Sequence, residues 1–249
     1  MNKLKLKKIA KWLWITLASI VIIFFITLSV YASKAYKASD EMENNIVNID
    51  LTSIKVSEDR DEISYKVDNP KLNIVFIPGG LVDASAYKYL ASNLAKDGNN
   101  VTIFKTFFHL AILTPNYAKR FINPRMENVI IWHSLGGTVA SMIASKNKYI
   151  TDVILLGSYA FVNIENKNVL LITAENDKVL SKTGYADWLT NAGKNAKEYS
   201  VQWGNHGQFG WYGEQKWDWE ATISTKDQQD ILISKILEFI HQNDISKPF

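Results

Sequence analysis

The pentapeptide His133-Ser134-Leu135-Gly136-Gly137 constrains this chain most, because it follows the apolar run Val129-Ile130-Ile131-Trp132 and opens an alanine-rich helical pattern. A serine between a buried strand and a helix has the context of a nucleophile elbow. In such a turn the hydroxyl stands clear of the backbone, and the first amides of the helix face a developing negative charge. Gly136 and Gly137 leave room for the helix to pack close to the strand.

Around this turn, short apolar runs alternate with helical patterns. Candidate strands are Ile46–Asp50, Ser53–Val56, Ile63–Val67, Leu72–Ile77, Val101–Thr106, Val129–Trp132, Asp152–Leu156, Val169–Thr173 and Tyr199–Trp203. Helical periodicity marks Ala84–Leu94, Thr138–Lys146 and Ile231–Ile240. The alternation predicts an α/β domain with a mostly parallel, doubly wound sheet covered on both faces. Only Gly157 to Lys167 separates the strand after the elbow helix from the next one, which leaves no room for a large cap domain.

A serine hydroxyl becomes a strong nucleophile only when a base takes its proton and a carboxylate holds that base in one tautomer. The chain has four histidines. His133 adjoins the serine with its side chain directed off the reaction face, His109 precedes the elbow, and His241 lies in the terminal amphipathic segment. His206, in the glycine-flanked loop Trp203-Gly204-Asn205-His206-Gly207, is the expected base. The run Leu170-Leu171-Ile172-Thr173 reads as a buried strand ending in a carboxylate-bearing turn, where Asp177 is the expected acid and Glu175, two residues earlier, the fallback. Asp83 reads as a turn cap rather than a catalyst.

Ser134, Asp177 and His206, in that order on alternating strands and helices, resemble the α/β-hydrolase superfamily. The segment Val75-Phe76-Ile77-Pro78-Gly79-Gly80-Leu81-Val82-Asp83-Ala84-Ser85-Ala86-Tyr87 is similar to the strand and loop of small bacterial α/β hydrolases of the family-5 type. The likeness runs over roughly residues 60–245. It implies that the loop after this strand supplies one oxyanion amide, so the donors would be the backbone N–H groups of Leu81 or Gly80, and of Leu135. One position departs from the family: Trp132 stands where glycine is usual, two residues before the serine. Small neighbours could accommodate it, it could wall the acyl pocket, or it could mark a copy without activity. His133, Phe107 and Phe108 join it as candidate pocket residues, although the apolar stretch Phe107–Leu113 also fits a flap or an ordinary buried connection.

The amino terminus has a different character. Trp12 to Tyr31 is 20 residues without a charge; at ~1.5 Å per residue such a helix spans a ~30 Å hydrocarbon core. Lys3, Lys5, Lys7, Lys8 and Lys11 precede it, which places residues 1–11 as a cytoplasmic tail, 12–31 as a transmembrane anchor in the lipid bilayer, 32–45 as a polar stalk, and 46–249 as the hydrolase domain outside the membrane. Cleavage of a secretory signal near Ala32 is the alternative. Without those five lysines, 23 basic residues face 25 acidic ones. That balance argues against nucleic acid as a partner, since phosphate binding needs clustered lysine and arginine on the folded surface.

The chain lacks cysteine, which excludes thiol nucleophiles and zinc–thiolate sites. No histidine pair has ligand spacing, and no phosphate loop or dinucleotide fingerprint occurs, so neither a metal nor a cofactor is expected. The expected function is a membrane-anchored extracytoplasmic serine hydrolase acting on a small carboxylic ester through an acyl-enzyme. Acyl transfer to a cell-envelope acceptor and a non-catalytic binding or scaffold role on a degenerate hydrolase fold are the alternatives. Acyl chain length and oligomeric state have no signature in the sequence.

Overall fold

The computed structural model describes residues 3–181, 183 and 185–245. They divide into two compact units, residues 1–35 and 36–249. The first is a single helix, α1 (Lys3–Ala32), of which Lys7–Ala32 is long and apolar enough to cross a membrane. Its apolar side chains are exposed all round, the opposite of a core helix.

The second unit starts with a short helix α2 (Asp40–Ile46), followed by strands β1 (Lys55–Glu58), β2 (Glu62–Lys66) and β3 (Asn73–Ile77). Helix α3 (Lys88–Lys96) leads to β4 (Asn100–Phe104), and β5 (Asn128–His133) leads through the elbow into α4 (Gly136–Lys146). Then come β6 (Ile150–Leu156), β7 (Asn168–Ala174), α5 (Tyr185–Ala192), β8 (Lys197–Val201) and α6 (Thr225–Ile245). The eight strands form one sheet in the order β1-β2-β4-β3-β5-β6-β7-β8. From β4 onwards every pairing is parallel; β1 and β2 add an antiparallel edge.

Period-two alternation divides the core. Val129 and Ile131 of β5 face a layer with Leu90 and Leu94 of α3 and Leu232, Ile236 and Phe239 of α6. Ile130 and Trp132 face the other layer, with Val139, Ile143 and Ala144 of α4 and Trp188 and Ala192 of α5. A central strand buried on both faces reads as one continuous apolar run. The sheet is thus doubly wound, as expected, and no large cap interrupts it.

Four local expectations change, the first being that β1 lies at Lys55–Glu58 rather than Ser53–Val56. Residues 36–45, read as stalk, pack on the folded body. The Tyr36 amide donates to the Leu81 carbonyl at 2.7 Å, and the Asp83 amide to the Tyr36 carbonyl at 2.8 Å. Ser39 caps α2 by accepting from the Met42 amide, and Asp40, Glu41 and Glu43 fill its first turn. Those charges complement the helix dipole while making the segment look like a solvated linker. Ile46–Asp50 is accordingly the end of α2 and a turn, not a strand. The last strand lies at Lys197–Val201, two residues earlier than the apolar pattern suggests, because Trp203 adopts φ 61° and leaves the sheet.

Met42 is fully buried with Tyr89 and Trp211. Met42→Ala should therefore cost about 2–5 kcal/mol by removing buried methylenes and leaving a cavity. Urea unfolding of the body should read this as a lower midpoint; an unchanged midpoint would show α2 to be a loosely attached linker.

Candidate active site

Both faces of the sheet meet the elbow at the carboxyl end of β5. Ser134 takes φ 53°, a left-handed conformation that non-glycine residues rarely adopt. The surroundings hold it there: the Ser134 amide donates to Leu156 O at 3.1 Å, and its carbonyl accepts from Gly137 N at 3.0 Å and Ser158 Oγ at 2.7 Å. The strain is thus confined between β5, β6 and the first turn of α4.

Trp132 is fully buried, so it does not wall a substrate pocket. Its indole lies in the α4 and α5 layer and donates through Nε1 to Ser158 Oγ at 3.0 Å. The nearby glycine makes this possible. A Cβ at Gly137 would overlap Ser158 Oγ and Trp132 Nε1, and one at Gly136 would stand 2.9 Å from the Pro78 carbonyl. The bulk absent from the helix start is supplied by the tryptophan beneath it.

The acid and base expected from sequence come together. His206 Nδ1 lies 2.7 Å from Asp177 Oδ2, and the two side chains are 1% and 2% exposed. The other oxygen of Asp177 accepts from the amides of Val179 at 2.9 Å and Leu180 at 2.7 Å. A carboxylate only accepts, so Nδ1 of His206 carries the proton and Nε2 presents its lone pair. Nε2 is buried and has no hydrogen-bond partner, the Ser134 hydroxyl included. Its ring packs against that of His133 with centroids 4.6 Å apart, one residue from the serine. Glu175 does other work: it is exposed and accepts the Trp203 amide at 2.8 Å.

His133 is buried too, and so is no surface for substrate. Its Nδ1 meets the Tyr87 hydroxyl at 2.8 Å, and that hydroxyl also accepts the Gly79 amide at 3.1 Å. Tyr87, which closes the family-like segment but has no role expected from sequence, thus fastens the glycine loop to the elbow. Burial, and then the adjacent His206 imidazole, push the His133 imidazole well below its ordinary 6.5, so it is neutral.

The glycine loop after β3, expected to supply an oxyanion amide, departs from expectation at one residue. Leu81 takes φ 58° and donates its amide to the His109 carbonyl at 2.9 Å, so it has no N–H to offer a substrate. Gly80 remains: a Cβ there would meet Leu135 Cδ1 at 3.0 Å, which shows how closely this loop lies over the elbow. No main-chain carbonyl accepts the Gly80 or Leu135 amides among the described contacts. Asp83 is a turn cap, accepting from the Ser85 amide at 2.9 Å.

Phe107 and Phe108 line a cavity of about 550 Å³ with Asp83, Lys105, His109 and Tyr117, and none of Ser134, Asp177 and His206 borders it. They flank the glycine loop after β3 rather than the elbow. A second cavity of about 420 Å³ begins at Tyr159, next to Ser158, and runs to Asp187 and Asn191 of α5. The aromatic run around the histidine loop splits in two. Phe209, Trp211 and Tyr212 are buried packing, whereas Trp203, Trp217 and Trp219 are exposed.

Residues 73–230 match the model of the Alpha/beta hydrolase family. No curated protein matches the chain in sequence at a significant level. Among solved structures it is similar to an esterase from Pyrococcus furiosus, at 14% identity and TM-score 0.54, covering 78% of this chain and 92% of that one. It is likewise similar to the thioesterase domain from the curacin biosynthetic pathway, at 15% identity and TM-score 0.54, covering 74% and 98%. A dienelactone hydrolase from Anabaena variabilis gives 11% identity and TM-score 0.56 over 75% and 98%.

The buried neutral His133 has a consequence for stability. Below pH 6.5 the unfolded chain takes up a proton that the folded chain refuses, so stability falls as pH falls. His133→Gln should flatten that slope by up to about 1.4 kcal/mol per pH unit between pH 6.5 and 5. Urea unfolding across this range checks it, and identical slopes would mean that His133 is charged when folded.

Proposed function

The chain belongs to the alpha/beta hydrolase family, and from that premise we propose that it is a membrane-anchored serine hydrolase that cleaves carboxylic esters outside the cytoplasmic membrane. The observation that carries this reading is the buried Asp177–His206 pair at 2.7 Å, with an unused Nε2 lone pair beside the elbow of Ser134. The esterase, thioesterase and dienelactone hydrolase folds that it resembles point the same way.

In this mechanism His206 Nε2 takes the Ser134 Oγ proton as the oxygen attacks the ester carbonyl carbon. Catalytic hydrogen bonds of this kind are often long or absent before substrate binds. The Gly80 and Leu135 amides donate to the oxyanion, each lowering the barrier by on the order of 3 kcal/mol. The tetrahedral species then breaks its bond to the alcohol oxygen, which receives the proton from Nε2 and leaves. Water attacks the acyl-enzyme, His206 accepts its proton, and the acid departs as that proton returns to Ser134. Asp177 remains ionised throughout and stabilises the imidazolium.

The apolar helix supports the proposed location. Lysines ahead of it and a body after it correspond to a single-pass anchor with the amino terminus inside.

A fluorophosphonate probe tests the chemistry. Wild type should be labelled, Ser134→Ala should not, and Asp177→Asn should lose on the order of 10⁴ in kcat because the imidazole is no longer held in the productive tautomer. Folded wild-type protein that resists labelling would favour a binding protein on this fold. For the location, a protease added to intact cells should remove the body and spare the tail; a protected body would overturn the outside placement.

A further inference from the structure

The acid turn and the base loop come from distant parts of the chain, after β7 and after β8, and a third segment is bonded to both. Four of residues 217–222 hydrogen-bond to these two segments, and Asp218 bonds to both. The Thr222 amide donates to the Trp203 carbonyl at 2.9 Å, and Asn205 Nδ2 donates to the Trp219 carbonyl at 2.7 Å. Asn176 Nδ2 reaches the Glu220 carbonyl at 3.1 Å. At the centre is Asp218. Its Oδ1 accepts the amide of Lys178 at 3.1 Å, and its Oδ2 accepts the amide of Gly207 at 2.9 Å.

Lys178 directly follows Asp177, and Gly207 directly follows His206. We propose that Asp218 is a positioning residue: one carboxylate, by holding the main-chain amides next to the acid and next to the base, sets the separation of Asp177 and His206. Two features of the loop agree with a conformation selected to present this side chain. Trp217 adopts φ 71° and is 86% exposed, both unfavourable for a tryptophan that served only to pack. A carboxylate is also better suited than an amide to the task, because it offers two acceptors to two N–H donors. An asparagine would turn its NH₂ group on one of them.

Asp218 touches no reacting atom, so its effect is on geometry. A displacement of the order of 1 Å at a catalytic pair costs up to about a hundredfold in rate.

The inference rests on the serine hydrolase reading for its activity readout, and the experiment separates the two. The rate of fluorophosphonate labelling is measured for full-length wild type, Ser134→Ala, Asp218→Asn and Asp218→Ala, together with the melting temperature of each. The expected result is a labelling rate about tenfold lower in Asp218→Asn and up to about a hundredfold lower in Asp218→Ala, at temperatures where both variants are fully folded. With an ester that the wild type cleaves, the loss should appear in kcat with KM unchanged. Labelling of folded Asp218→Ala at the wild-type rate overturns the proposal, whatever its melting temperature, because that is the pattern of a merely stabilising loop contact. Absence of labelling in wild type overturns the hydrolase reading instead. In that event, or if neither variant folds, hydrogen exchange in the wild type decides. Slow exchange at both the Lys178 and Gly207 amides supports the bridge, and exchange of either at the rate of an exposed amide overturns it.

Discussion

A buried hydrogen bond between a carboxylate and an imidazole is the constraint around which the site is organised. Asp177 and His206 are removed from water almost completely, and a buried charge is tolerable only when its lone pairs are used. The structure meets that condition: one Asp177 oxygen takes two amides of its own turn, and the other takes the imidazole. The orientation of His206 follows, and its Nε2 is left without a hydrogen-bond partner. Polar atoms left unpaired inside a protein cost free energy, so an orphaned Nε2 is informative. It marks the place where the hydrogen-bond chain that begins at the Asp177 turn stops.

The elbow shows how a sequence departure can be neutral to architecture. Trp132 replaces a glycine usual in related proteins, yet the steric demand is moved rather than increased. Gly137 provides the space, and Ser158 provides both an acceptor for the indole and a donor to the Ser134 carbonyl. The tryptophan, the glycine and the serine form one unit spread over β5, α4 and the segment after β6. The strained serine is held by partners on each side, as a left-handed non-glycine residue must be.

Much of the fold was legible because its signals are local. Continuous apolar runs marked the central strands, and the elbow is a short word read from one strand end and one helix start. The acid and base were found through chain order and through the glycines around His206. What escaped was non-local. Whether Gly80 or Leu81 offers its amide depends on the His109 carbonyl, which no spacing rule connects to the loop. Tyr87 closes the family-like segment, but its contact to the Gly79 amide, like those of Asp218 to Lys178 and Gly207, leaves no trace in residue type. Helix α2 was misread for a different reason: an acidic first turn stabilises a helix through its dipole and resembles a solvated linker in composition.

The sequence by itself determined the apolar amino-terminal helix, the doubly wound sheet without a large cap, and the family to which the chain belongs. These follow from hydrophobic length and periodicity, which are properties of consecutive residues. Only the tertiary structure decided that Asp177 rather than Glu175 meets the imidazole, that Trp132 and His133 are core rather than pocket, and that the Leu81 amide is already taken. Each of those outcomes is a choice among partners for a hydrogen bond or a volume. Such choices are made by segments that are far apart along the chain and meet only when the sheet is assembled.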